Sequence, residues 1–425
     1  MMETSLIFIV GNNMDDLIYK LINDEIKGCF DYFYYESNTD LLGYGLTKDK
    51  LSSLTSSIAS CGFAFCAYVI GVERKYITFD EGYERCNKTL DTLNKIKTHH
   101  GFFPHFINPI NLENKRSEYS TIDTTILLCG GIVAGEFFKG DVKKKIEKLI
   151  NDCDWSYFME ERDGKLQINM AYSDYVWTKT NGFCPATWDQ YAEQLMMYLL
   201  IAGRSDISKD TALRLFNGFT RHTDTYHGKE VIHCFSNPLF THQFSHAFFP
   251  FQFYLDSNGY DWFQNSVAAT LCNREYCISR SNYFKTYHKN SWGLTAFQGK
   301  NGYKVYGSPP YGLPNIKYSQ RIDGSVAPYA SLCSINFTPK YSIDCLKYFD
   351  TIKGLKGKYG YTDSYNLDTG YISDEYIGID KGPTIVMLEN YLTGTIWKYF
   401  TESEIIKQAI NKLNFKSKGE KNEEN

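Results

Sequence analysis

Residues 54–70 read L-T-S-S-I-A-S-C-G-F-A-F-C-A-Y-V-I, and residues 79–97 follow as F-D-E-G-Y-E-R-C-N-K-T-L-D-T-L-N-K-I-K. The first stretch is apolar on nearly every helical face and interleaved with small residues, which predicts a helix buried all round. The second carries charge on one side and Tyr83, Cys86, Leu90 and Leu93 on the other, which predicts an amphipathic helix outside it.

The couplet recurs. Apolar 121–138 precedes amphipathic 142–150, and apolar 188–202 precedes mixed 209–219. Apolar 326–334 precedes amphipathic 341–352, and apolar 383–400 precedes amphipathic 402–413. Residues 261–278 form the clearest helix of the remaining region. Repeated inner and outer helices imply stacked αα-hairpins. The inner members are too apolar for an open concave face, so the expected fold is all-α, a closed (α/α)6 toroid with its loops around a mouth. The loops at 99–119, 152–187, 220–259 and 281–324 are long and rich in aromatics, His, Gly and Pro. Such loops in a compact domain usually carry function. One catalytic domain is expected over residues 1–415, with residues 416–425 (K-S-K-G-E-K-N-E-E-N) as a disordered polar tail.

Composition narrows the function classes. Of 425 residues, 43% are hydrophobic and 22% charged, which excludes intrinsic disorder and a small disulfide-stapled scaffold. A net charge of -4 argues against phosphate-mediated nucleic-acid binding. The twelve cysteines contain no C-x-x-C, the nearest pairs being Cys61/Cys66 and Cys272/Cys277. Buried thiols in a reducing compartment fit that pattern better than metal ligands. The start lacks a basic n-region, so a cytoplasmic protein is expected, or an exported one whose leader lies outside this sequence. The uncharged apolar stretch 124–135 is too short to cross a bilayer, and no membrane contact is expected. A monomer is expected.

No dinucleotide fingerprint, Walker loop, H-E-x-x-H or G-x-S-x-G occurs. Gly130, Gly131 and Gly135 lie inside an apolar helix, where close helix packing explains them better than phosphate binding. His242 and His246 have helical i,i+4 spacing, but no third metal ligand accompanies them. The conspicuous residues are acids in apolar or aromatic settings. They are Asp123 in S-T-I-D-T-T-I-L-L, Asp189 and Glu193 in W-D-Q-Y-A-E-Q-L-M-M-Y-L-L, Asp363 in Y-G-Y-T-D-S-Y-N, and Asp380 in Y-I-G-I-D-K-G-P.

All four segments lie at predicted ends of inner helices, so they can converge on one mouth. Each of Asp123, Asp189 and Asp380 has an alternative reading as a helix cap or first-turn acid. Glu193, read as a full turn inside an apolar helix on the same face as Asp189, cannot be a cap. A buried carboxyl keeps its proton, which is what a general acid needs. Paired carboxyls in an aromatic cleft are the minimal equipment of a glycosidase, and Trp155, Trp177, Trp188 and Trp292 offer stacking faces for sugar rings.

These motifs, together with G-F-F-P-H-F (101–106), P-L-F-T-H-Q-F-S-H (238–246), N-S-V-A-A-T-L (265–271) and W-G-L-T-A (292–296), are similar to one family. They resemble the glycoamylase-like domain family, whose bacterial members include endo-β-1,2-glucanases of glycoside hydrolase family 144. The resemblance runs in order from about residue 33 to residue 400. It implies an (α/α)6 toroid and hydrolysis of β-1,2-glucan with inversion to sophoro-oligosaccharides, without metal or other cofactor. Carried over by motif, Glu193 is the candidate general acid and Asp363 or Asp380 the base. Asp123, Asp189, His105, Trp188, His242, His246 and Trp292 would line the sugar subsites. The chain departs from the family in Ala192, where many relatives have Asn, and in Ala296-Phe297, where transglycosylating relatives carry an acid. An exo-acting or oligosaccharide-specific glucosidase, a glucoamylase-like α-glucan hydrolase, a non-catalytic glycan-binding protein and a helical scaffold remain as alternatives.

Overall fold

Helix α1 (Asp16–Tyr35) opens the described chain, a single amphipathic helix that the couplet pattern does not include. The computed structural model describes residues 14–313, 316 and 318–419. The first predicted couplet follows as α2 (Ile58–Glu73) and α3 (Phe79–Leu93), with α2 buried along almost its whole length. The second is α4 (Thr121–Phe138) and α5 (Gly140–Asp152). By length and composition α4 could cross a membrane, yet 89% of it is buried inside the protein, where it packs between α2 and α5. The glycines explain how closely. A Cβ on Gly130 would lie 1.9 Å from the Gly62 carbonyl oxygen, and one on Gly62 would lie 2.5 Å from the Ile126 carbonyl. Backbone therefore meets backbone between α2 and α4, as the packing reading of the glycine cluster requires.

The chain continues through α6 (Leu195–Gly203), α7 (Lys209–Phe216), α8 (Phe244–Phe248) and α9 (Trp262–Ser279). It ends with α10 (Pro328–Cys333), α11 (Pro339–Phe349), α12 (Gly378–Leu392), α13 (Thr395–Glu402) and α14 (Glu404–Lys412). Contacts among the buried helices run from α2 through α4, α6 and α8 to α12, which returns to α2; α10 also packs on α12. The amphipathic α3, α5, α7 and α11 each lie on a buried partner.

Three expectations are corrected. Residues 188–202 do not form one helix: helix begins only at Leu195, because Tyr191 N–H donates to the Thr220 carbonyl and Thr220 N–H to that of Asp189. Backbone pairing with the segment after α7 replaces the first helical turn. Residues 383–400 divide at Gly394 (φ 69°), which separates α12 from α13. The predicted disordered tail is not one throughout, since Lys416–Ser417 pairs with Tyr254–Leu255 and Lys418 Nζ lies 2.6 Å from Asp261; residues 420–425 lie outside the described residues.

The long loops carry small antiparallel hairpins: Met159–Arg162 with Lys165–Ile168, Thr223–Tyr226 with Lys229–Ile232, and Ala296–Gly299 with Gly302–Val305. The first turns through Asp163-Gly164, both at positive φ, which is the chemistry a two-residue hairpin turn demands. All twelve cysteines are free and ten are buried.

Candidate active site

The N-terminal ends of α4, α8, α10 and α12 and the turn before α6 meet around a partly open cavity of about 340 Å³. Its polar lining is Asp49, Lys50, His105, Asp123, Glu193 and Asp380, with Tyr303 and Tyr329; Ile122, Ile126, Phe106, Phe240 and Phe244 supply apolar wall.

Asp123 occupies the first turn of α4 and combines both of its sequence readings. Its N–H donates to the Ser120 hydroxyl at the helix cap (3.2 Å), and its Oδ2 accepts from that hydroxyl (2.6 Å). Oδ1 faces the cavity 3.6 Å from His105 Nε2, while His105 Nδ1 lies 2.8 Å from Glu118. Burial opposes charge on His105, but Asp123 and Glu118 outweigh it and raise the imidazole to about 9. His105 is thus a cation fixed between two carboxylates.

Glu193 sits in the turn before α6 rather than inside a helix. Ala192 N–H donates to Gln194 Oε1 (2.7 Å), and the Ser245 hydroxyl donates to the Glu193 carbonyl (2.5 Å). These bonds fix the turn and leave the carboxyl to the cavity. Among the described residues no basic side chain pairs with it, and burial pushes it up to about 7.

Asp380 lies in the first turn of α12, with Oδ2 unbonded. Asp363 is also buried and does not line the cavity; it stands behind Asp380, within hydrogen-bonding reach of it. Its Oδ2 accepts from Gln298 N–H (2.5 Å), and its own N–H donates to the Glu375 carbonyl (3.0 Å). Burial raises Asp363 to about 6, and burial together with the Asp363 charge holds Asp380 well above the ordinary carboxylate range. Two carboxyls in this proximity share a proton and titrate as a pair.

Two of the predicted subsite residues, Asp123 and His105, line this cavity, together with the predicted catalytic acids Glu193 and Asp380. The other predicted binding residues do not. Asp189 is exposed and its carbonyl serves the pairing with Thr220. Trp188 is buried, donating to the Thr121 hydroxyl (3.1 Å), and Trp292 is fully buried. His242 is bonded to Asn237 (2.7 Å) and Tyr191 (3.3 Å), His246 to Ser266 (2.9 Å), and burial depresses both to about 3. They are neutral interior rings.

The P-L-F-T-H-Q-F-S-H motif does reach the site, through Phe240 and Phe244, which share the i,i+4 spacing two residues out of phase with the histidines. Asp49, Lys50, Tyr303 and Tyr329 were also missed. Lys50 is a cavity cation whose Nζ lies 3.4 Å from Gln298 Oε1. Tyr303 reaches in from the 296–305 hairpin, and Tyr329 donates to the Ala296 carbonyl (2.8 Å). The G-K-N-G-Y turn at 299–303 was the available signal for Tyr303; Asp49 and Lys50 sit in an ordinary polar loop that offered none. Among the described residues, no group of three or more metal-ligating side chains comes together.

Residues 185–404, just over half of the chain, match the Glycoamylase family, described as "Putative glucoamylase". A curated relative is 25% identical over 412 residues, covering 87% of this chain: the exo β-1,2-glucooligosaccharide sophorohydrolase (non-reducing end) of Parabacteroides distasonis. The chain spans about half of that relative's length, 54%. A "putative glucoamylase" from Bacteroides uniformis has TM-score 0.83 at 26% identity, covering 96% of this chain and 99% of its own. The endo-β-1,2-glucanase of Chitinophaga pinensis, in complex with sophorotriose and glucose, has TM-score 0.81 at 24% identity, covering 95% and 99%.

Proposed function

This chain belongs to the glycoamylase family, and we propose that within it the protein is an inverting glycoside hydrolase acting on β-1,2-linked glucan. The observation that carries the reading is one cavity lined by Glu193, a carboxyl raised to about 7, and by Asp380, whose carboxyl is paired with Asp363 behind it. The circuit of buried helices separates α6 from α12 by α8 on one side and by α4 and α2 on the other, which supports a closed (α/α)6 toroid with the two groups on different walls.

Glu193 protonates the departing glycosidic oxygen. Asp363, the more readily ionised member of the pair, draws the shared proton from Asp380, and Asp380, facing the cavity, takes a proton from the water that attacks the anomeric carbon. His105, Lys50 and Asp123 offer charged hydrogen-bond partners to sugar hydroxyls, and Phe106, Phe240, Phe244 and Tyr303 offer apolar faces. β-1,2-Glucan as substrate is supported by the named activity of the P. distasonis relative and by the fold shared with the C. pinensis enzyme.

Internal cleavage of the polymer is the first reading. Release of sophorose from a chain end is the second, favoured by the exo activity of that relative and by a cavity near the small end of the usual range of roughly 300–1,000 Å³. Purified protein incubated with linear β-1,2-glucan, starch and β-1,3-glucan, with products sized by chromatography, tests both. A ladder of sophoro-oligosaccharides establishes endo action, and sophorose alone from the earliest times establishes exo action. Release from starch, or no turnover of any glucan or oligosaccharide, overturns the proposal.

A further inference from the structure

One buried ion pair lies behind the site. Lys381 follows Asp380 in α12, and its Nζ lies 2.8 Å from Oε1 of Glu25 in α1. Both side chains are nearly inaccessible, at 6% and 1%. Glu25 Oε2 accepts from Tyr361 N–H (2.8 Å), two residues before Asp363. The strand carrying Tyr361 lies so close that a Cβ on Gly360 (φ 82°) would fall 2.3 Å from Glu25 Oε2, and a Cβ on Gly28 of α1 would fall 2.4 Å from Gly360 N. Glu25 therefore joins, through three atoms, the helix bearing Asp380 and the strand leading to Asp363.

We propose that Glu25 and Lys381 are positioning residues for the Asp363–Asp380 pair, fixing its two backbone segments against each other and setting how much positive charge it feels. This rests on the reading of that pair as the catalytic base. A buried ion pair is weak evidence of stability, since neutral replacements of similar volume are often tolerated, so a role in the site is the more informative account. The charged and titratable groups facing the pair are Lys381 from α12, Glu375 and Tyr371 from the segment before it, Tyr303 from the hairpin, Tyr329 and Cys333 from α10 and Asp49 from the 49–55 loop, with Glu25 of α1 on the far side of Lys381. Lys381 is the sole cation among them, and its field favours the ionised form of Asp363.

The test is the titration of aspartate carboxyls, by NMR of protein carrying ¹³C-labelled aspartate, in full-length wild type and two variants. Glu25→Gln/Lys381→Met removes both charges, and the pair then loses its first proton at a pH about one unit higher. Glu25→Gln alone is nearly isosteric and keeps the cation without its counter-charge, so the pair ionises at lower pH. The acid limb of kcat should follow both displacements, while KM stays within about twofold. Shifts in opposite directions support the proposal. No shift in either variant, or the same direction in both, overturns it. If the double variant does not fold, the Glu25→Gln direction decides: downward supports, unchanged or upward overturns. The titration needs no substrate, so a wild type inactive on every glucan would sink the hydrolase reading and leave this result standing.

Discussion

The two acidic walls of the cavity hold protons for different reasons. On the α6 side, Glu193 shares no proton with another carboxyl: burial, with a smaller contribution from the Asp123 charge, raises it to about 7. On the α12 side, Asp380 is raised by burial and by the charge of Asp363, with Lys381 and Glu25 behind them. Desolvation makes a carboxyl that gives up its proton reluctantly to solvent but readily to a basic leaving oxygen. Proton sharing makes a pair with one ionised oxygen available at neutral pH. Two equal acids thus become an acid and a base through surroundings alone.

The largest expected effect breaks the first wall. Glu193→Gln should lower kcat by about 10³-fold or more, in keeping with the loss of a general acid, while oligosaccharide affinity by calorimetry stays within about tenfold. Retained turnover would remove Glu193 from the acid role.

The second wall is sharpened by comparing its members. Asp380→Asn, which alters the carboxyl that faces the cavity, should cost about 10²-fold or more in kcat. Asp363→Asn should cost less and move the acid limb to lower pH, because Asp380 then ionises without a neighbouring charge. Equal losses with unmoved limbs would show that the carboxyls do not act as a pair.

The pH profile tests both walls at once. A base must be ionised, so activity falls as pH drops through about 6, the value for Asp363; an acid must be protonated, so it falls as pH rises through about 7, the value for Glu193. A narrow maximum between those values is expected in initial rates against pH.

Stability carries a smaller signature. The folded value of Glu193 lies above its ordinary 4.5, so its contribution is present below pH 4.5 and is lost as pH rises through about 7. Glu193→Gln should therefore stabilise the protein by about 3 kcal/mol at pH 8 relative to its effect at pH 4, read as a rise in Tm at the higher pH only. Least of all, Asp189→Asn should leave kcat/KM within about twofold, since that side chain is exposed outside the cavity.

The helical couplets were legible because burial on all faces and burial on one face leave different periodicities, as in α2 and α3. Helix α1 escaped because it lacks an apolar partner immediately before it, and with it went Glu25, whose partners Tyr361 and Lys381 are over 330 residues away. Acids in apolar strings were legible too: Asp123, Glu193 and Asp380 share one cavity and Asp363 supports it. What misled was local spacing. The 188–194 segment spends its backbone bonds on Thr220, which turns Asp189 out and Glu193 in. His242 and His246 have ligand spacing, but Asn237, Tyr191 and Ser266 hold them inside, while the phenylalanines between them and beside them face the cavity. Which face of a short helix meets the site depends on neighbours distant in the chain.

The most direct test of opposed acid and base walls is the configuration of the fresh reducing end, followed by proton NMR during the first minutes of hydrolysis of linear β-1,2-glucan. Water activated by the Asp363–Asp380 pair attacks opposite the leaving group, so the α-anomer should appear first and mutarotate later. Initial appearance of the β-anomer would mean attack by a carboxylate and a covalent intermediate, and would contradict the account.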